Sequence, residues 1–196
     1  MTNPENIDLG PLADMIGVWE GGAGVDVAPE PDGAETNPYY ETITYSAVGN
    51  VTNAESQNLS AVHYHKIVSR KSDGEVFHNE TGYWMRDSNA ETVMYSLVIP
   101  RAVCVLAGGK YTGEMDQGGR IVINVAASID DENWKIIQSP FMLENARTFM
   151  LENARTREFR QEVLIGDGRL SYSETTILDI YGKDFEHTDQ NELILM

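Results

Sequence analysis

Cysteine is nearly missing from this chain of 196 residues: Cys104 is the single one, so no internal disulfide can form. That usage fits a reducing compartment. Basic residues are scarce as well. Lys and Arg number 14 against 31 Asp and Glu, for a formal net charge of -17, and a field of that sign repels phosphate backbones and anionic lipid heads. Nucleic acid and membrane surfaces are therefore not expected partners, and solubility accounts for most of the acidity. No apolar run approaches the roughly 20 residues that a membrane-crossing helix needs. The opening residues Met1-Thr2-Asn3-Pro4-Glu5-Asn6 lack the basic segment and apolar stretch of a secretion signal. A cytoplasmic protein is the expectation.

Several chemistries lack their signatures. There is no Gly-x-Ser-x-Gly elbow, and Cys104 sits in the apolar run Val103-Cys104-Val105-Leu106, where a thiol is ordinarily inert filler. The glycines after Trp19 precede no helix, and Gly108-Gly109 and Gly118-Gly119 read as hairpin turns, so no phosphate-cradling loop is present. Helical periodicity is almost absent.

What remains is a succession of short alternating segments. After a helical turn around Leu9 to Ile16 come a glycine-rich strand from Gly17, a loop from Val27 to Pro38, and strands at Tyr40–Val48, Leu59–Asp87, Glu91–Ile99, Arg101–Ala107, Lys110–Met115, Arg120–Ile129 and Trp134–Gln138. Arg157–Ile165, the turn Gly166-Asp167-Gly168, Arg169–Tyr181 and a short tail complete the chain. About ten strands bounded by Gly, Asp, Asn or Pro predict an all-β fold, a closed antiparallel ten-stranded barrel of the lipocalin or fatty-acid-binding type. The chain reads as one domain, residues 1–196. Within it the octapeptide Phe141–Thr148 is repeated without change as Phe149–Thr156. Eight is even, so a strand absorbing the extra copy keeps its facing pattern. The second copy is expected to join the strand through Ile165 while the first bulges out.

The Leu59–Asp87 segment gathers titratable residues. A two-residue turn at Asp73-Gly74 would set Ser69 opposite His78, Ile67 opposite Glu80, His65 opposite Gly82 and His63 opposite Trp84, all on one face. In that register His63 and His65 stand about 7 Å apart along the strand with Glu80 in reach, a donor set that could hold a metal. Lining of a polar cavity by the same residues is the plainer alternative. His187, alone in Asp184-Phe185-Glu186-His187-Thr188-Asp189, follows a strand that must close the barrel and could stand at its mouth, where a neutral imidazole can serve a five-coordinate haem.

Gly17-x-Trp19-x-Gly21, the strand end Glu80-Thr81-Gly82-Tyr83-Trp84, the pair Arg157-Glu158-Phe159-Arg160 and Leu170-Ser171-Tyr172, and a histidine shortly after it resemble the nitrobindin family of haem-binding β-barrels. The resemblance runs from about Leu12 to Leu193, with Ala23 at the position of the family's last motif glycine. It implies a ten-stranded barrel holding ferric haem b through one histidine, matched here by His187. It also implies nitric oxide binding and peroxynitrite isomerisation at the iron. Trp84 would wall the cavity, and His63, His65 or Glu80 would hydrogen-bond the bound ligand. Two alternatives stay open: a haem-free carrier of a fatty acid or other small hydrophobic ligand, and a barrel metalloenzyme using His63, His65 and Glu80. The expected partners are haem or such a ligand, with a homodimer as the assembly the sequence leaves open.

Overall fold

The computed structural model describes residues 8–140 and 155–196. Its strands are β1 (Gly17–Glu30), β2 (Gly33–Asn53), β3 (Gln57–Arg70), β4 (Val76–Asp87), β5 (Thr92–Ile99), β6 (Val103–Lys110), β7 (Ile121–Ser128), β8 (Ile136–Gln138), β9 (Arg155–Gly166), β10 (Arg169–Ile180) and β11 (Lys183–Leu195). A 3-10 helix at Gly10–Met15 precedes them. The sheet order is β5-β4-β3-β2-β1-β11-β10-β9-β7-β6-β8, and β5 also pairs with β6. That extra pairing closes a ring of ten antiparallel strands, which leaves no long open edge. The short β8 lies along β6, from Val103↔Gln138 to Val105↔Ile136.

Alternation of side chains sorts the wall into an inner and an outer surface. Leu12 and Met15 of the 3-10 helix are fully buried, and they close one end against Trp19, Ile165, Leu170 and Leu193. The indole of Trp19 donates to the Met15 carbonyl at 2.7 Å, and Ser60 donates to the Asp8 carbonyl at 2.7 Å. No described element covers the opposite end, where β1, β3 and β10 finish and β2, β4 and β11 begin. Gly82 is required where it stands. A Cβ there would lie 1.9 Å from the Ser96 carbonyl oxygen of the neighbouring strand.

Three sequence expectations are corrected. The stretch from Val27 to Pro38 is not a loop, since β1 continues to Glu30 and β2 begins at Gly33. Its prolines are tolerated because Pro29 lies beyond the last β11 partner, Thr188 opposite Val27, and Pro38 lies before the first β3 pair, Tyr39↔Arg70. A missing N–H there costs no ladder bond. Lys110–Met115 is not a strand of its own, and only an isolated bridge, Met115↔Ile121, forms in that region. The supposed tail is the 13-residue β11. The tandem octapeptide falls almost wholly on residues 141–154, outside the described residues. Arg155 and Thr156, the end of its second copy, open β9.

Candidate functional site

The β3–β4 register decides which side chains face inward. Arg70 N–H donates to the Glu75 carbonyl and Gly74 N–H to the Arg70 carbonyl, both at 2.9 Å, so the turn holds four residues, Lys71 to Gly74. A bulge follows, with Ser69 opposite Val76 but Val68 opposite His78. The ladder then runs His65↔Thr81 and His63↔Tyr83. This register lies one residue from the two-residue-turn expectation, and a one-residue slip exchanges the faces of a strand. His63 and His65 therefore face outward, bonded to Thr81 Oγ1 at 2.9 Å and Asn79 Oδ1 at 3.0 Å. Glu80 and Trp84 face inward and are 2% exposed. The proposed His63, His65 and Glu80 metal set is thus divided between the two surfaces of the wall.

Inside, two carboxylates organise the middle of the barrel. Glu80 Oε1 accepts from Tyr64 and Tyr95 hydroxyls at 2.6 Å each, while its Oε2 lies 3.1 Å from His78 Nε2. Glu41 accepts from Tyr172 at 3.0 Å and from Asn191 Nδ2 at 2.7 Å, and Lys66 Nζ stands 3.3 Å away. The Lys66 ammonium also lies 4.4 Å from the centre of the Tyr172 ring. Bonds of this kind, to an ionised acceptor in a dry interior, are the strong ones.

Burial would raise the Glu80 carboxyl, but the Lys66 charge with the His78 and Tyr64 bonds outweighs it and holds the group at about 2. Burial likewise works against the Lys66 charge. Glu41, Glu80 and Glu174 overcome it and raise the ammonium well above its ordinary value. Glu174 fares differently: burial, opposed by Lys66 but aided by Glu80 and Asp189, pushes it up to about 8. It enters neutral pH as a neutral acid. Gln161 Nε2 donates to it at 3.0 Å, and Gln161 Oε1 is buried with no hydrogen-bond partner among the described residues.

Toward the uncovered end stands His187, on β11 opposite Thr176 of β10. Its Nε2 lies 2.7 Å from Asp26 Oδ1 and 3.7 Å from Asp189 Oδ2, and its side chain is 23% exposed. Burial disfavours the imidazolium, but the Asp26 bond and the charges of Asp189, Asp26 and Glu174 prevail and raise its pKa. Asp189 is itself raised by burial, against the pull of His187 and Lys66. Leu178 and Phe185 form the next inward cross-strand pair toward that end.

The donor chemistry suits an iron ligand, since a carboxylate that holds one nitrogen of an imidazole orients the ring for a metal. Ligation through Nε2 requires Asp26 to give up its bond; Nδ1 is the ring's other donor. The middle of the barrel is a different matter. The cavity among Tyr45, Tyr64, Lys66, Trp84, Gln161 and Tyr172 measures about 10 Å³, room for about one water. Cofactor and ligand pockets measure roughly 300–1,000 Å³. A fatty acid inside the barrel, as the carrier alternative requires, finds no space in that cavity, and neither does a haem.

Of the residues that the sequence singled out, the structure places His187, Glu80 and Trp84 on the inner surface; Asp26, Glu41, Lys66, Tyr172, Glu174 and Asp189, which stand beside them, were not among those candidates. The signal was present in Tyr39-x-Glu41-x-Ile43-x-Tyr45 and Val62-x-Tyr64-x-Lys66-x-Val68, where a charge interrupts an otherwise apolar alternation.

No curated protein sequence matches this chain. Among solved structures, Rv2717c from M. tuberculosis is similar at 18% identity, with 100% of this chain and 99% of that chain covered and a TM-score of 0.69. At that identity the likeness shows the shared fold. A putative thioesterase from Novosphingobium aromaticivorans DSM 12444 aligns at 10% identity over 91% of this chain and 79% of its own, with a TM-score of 0.19 that carries no argument. The family model for the THAP4-like, heme-binding beta-barrel domain matches residues 8–194, and the chain belongs to that haem-binding β-barrel family.

Proposed function

We propose that this chain binds haem b at the uncovered end of its barrel, with His187 as the iron ligand. The observation that carries the proposal is the position of His187: it points inward on the strand that completes the ring, with its imidazole oriented by Asp26 at 2.7 Å. Haem in such a setting supplies a ferric iron with an open coordination position, where nitric oxide can bind and peroxynitrite can isomerise to nitrate. The chain's own groups do the rest. Asp26 fixes the ring plane of His187, and Leu178 and Phe185 offer apolar surface one cross-strand pair further out. Lys66, paired with Glu41 and set against Glu80, offsets part of the carboxylate charge below the site.

Titration of the purified protein with hemin tests this directly. The wild type should give a Soret band that saturates at one haem per chain, and His187→Ala should lose the band or weaken binding at least tenfold. A His187→Ala protein with an unchanged spectrum and affinity removes the assignment. Nitric oxide binding and peroxynitrite decay by the haem-loaded wild type then test the chemistry separately.

A further inference from the structure

One polar row crosses the inner surface toward the uncovered end. The register sets Asn37 of β2 opposite Asp26 of β1, Asp26 opposite Asp189 of β11, Asp189 opposite Glu174 of β10, and Glu174 opposite Gln161 of β9. Three neighbouring strands thus each place a carboxyl group on the same row, and like charges set directly opposite one another destabilise a sheet. Among the described residues no Lys or Arg forms an ion pair with any of the three. Asp26 and Asp189 pair only with His187, two residues along β11 from Asp189 and on the same face, at 2.7 and 3.7 Å from its Nε2. One ligand atom from each of Asp26, His187 and Asp189 lies within 4.8 Å of the other two.

Buried charges are paired or coordinate a metal, and a single imidazole pairs with only part of this set. We infer that Asp26, His187 and Asp189 bind one divalent transition-metal ion of the zinc class. The donors decide the class. One imidazole nitrogen with two carboxylate oxygens is a combination that zinc takes at about 2.0–2.2 Å, whereas calcium and magnesium are held by oxygen ligands. Two donors that each stand about 2.1 Å from one ion are roughly 3.0–3.4 Å apart at octahedral to tetrahedral angles, and the separations of 2.7 and 3.7 Å from His187 Nε2 bracket that range. The ligand shell is also supported from behind. Asn37 Nδ2 donates to Asp26 Oδ2 at 3.2 Å and leaves Oδ1 directed at His187, the kind of outer contact that orients metal ligands. The side chains of His187 and Asp189 are 23% and 22% exposed, so an ion can enter from the uncovered end and water can fill its remaining positions. The site shares its imidazole with the haem proposed above but does not rest on that reading.

Titration of the haem-free chain, carrying no affinity tag, with zinc chloride against a chromophoric chelator tests the inference. The wild type should take up one zinc per chain, and millimolar calcium or magnesium should not displace it. Asp26→Asn and Asp189→Asn keep the side-chain shape and should each weaken uptake about tenfold or more, the scale on which even an orienting partner of a metal ligand counts, with unchanged circular dichroism spectra. His63→Ala combined with His65→Ala, on the outer surface, should leave zinc affinity as it was. The unaltered chain provides its own readout: of the four histidines, zinc should shift the imidazole NMR signals of His187 alone. No uptake, displacement by calcium, undiminished affinity in both Asn variants, or zinc-induced shifts at His63 or His65 in place of His187 overturns the inference. A chain that takes up hemin but no zinc refutes this site and keeps the haem assignment, and one that takes up zinc but no hemin does the reverse.

Discussion

Glu174→Gln should make this protein more stable at neutral and alkaline pH. Glu174 is raised from an ordinary 4.5 to about 8 by burial, so between those values the folded chain holds a proton that the unfolded chain has released. Stability supplied by the neutral acid is therefore complete below pH 4.5 and declines as pH rises through about 8. With 1.36 kcal/mol for each unit, the loss reaches about 3 kcal/mol at pH 7 and approaches about 5 kcal/mol at pH 9. Glutamine keeps the size and neutrality of the acid and never ionises. It also matches the local bonding. A protonated Glu174 has an O–H to donate, and turning the Gln161 amide lets the orphaned Oε1 receive it, a role the amide of a glutamine can reproduce. Urea unfolding of wild type and Glu174→Gln from pH 5 to pH 9 measures the difference. The two should converge at pH 5 and separate by a few kcal/mol at pH 9. Equal slopes with pH, or a variant weaker than wild type throughout, would refute the placement of a neutral acid inside the barrel.

Lys66→Met should do the opposite, costing about 3–5 kcal/mol, because it leaves Glu41 and Glu80 buried without their cation; denaturant unfolding at pH 7 reads it out. Acid should unfold the wild type in a related way. Glu80 sits at about 2 against an ordinary 4.5, so its contribution, on the order of 3 kcal/mol, is present above pH 4.5 and is lost as pH falls toward 2. His63→Ala combined with His65→Ala should leave hemin affinity within a factor of two of wild type, since both rings face outward; a tenfold loss would place them in the site.

The closed ten-stranded ring was legible because short alternating segments bounded by turn residues admit few other folds, and the place of His187 toward one end of the barrel was legible because it follows the penultimate strand. The faces of β3 and β4 were not. Asp73-Gly74 is the pattern of a two-residue turn, but Asp73 Oδ1 instead accepts from Glu75 N–H at 2.9 Å within a wider loop, and the bulge at Phe77 shifts the register again. The wider loop shifts the pairing by two residues and the bulge returns one, so the net slip is one residue, which exchanges inside for outside. A better guide was at hand in the same strand, since Val62, Tyr64 and Val68 alternate with more polar neighbours and are buried. Strand β11 was hidden for a related reason: its inward positions, His187, Asp189 and Asn191, are polar, so no apolar alternation announces it.

These polar inward positions change what the acidity means. Asp26, Glu41, Glu80, Glu174 and Asp189 all lie on the inner surface of the barrel, and there they face Lys66, His78 and His187. Solubility explains none of those five, because a buried carboxylate costs free energy unless it is paired or neutral. Two of them, Glu41 and Glu80, are satisfied by tyrosines and Lys66, and Glu174 escapes by holding a proton. At the uncovered end Asp26 and Asp189 stand around a single imidazole, that of His187. The same inner architecture that leaves a fatty acid no room in the middle of the barrel therefore sets two carboxylates around one imidazole at its uncovered end.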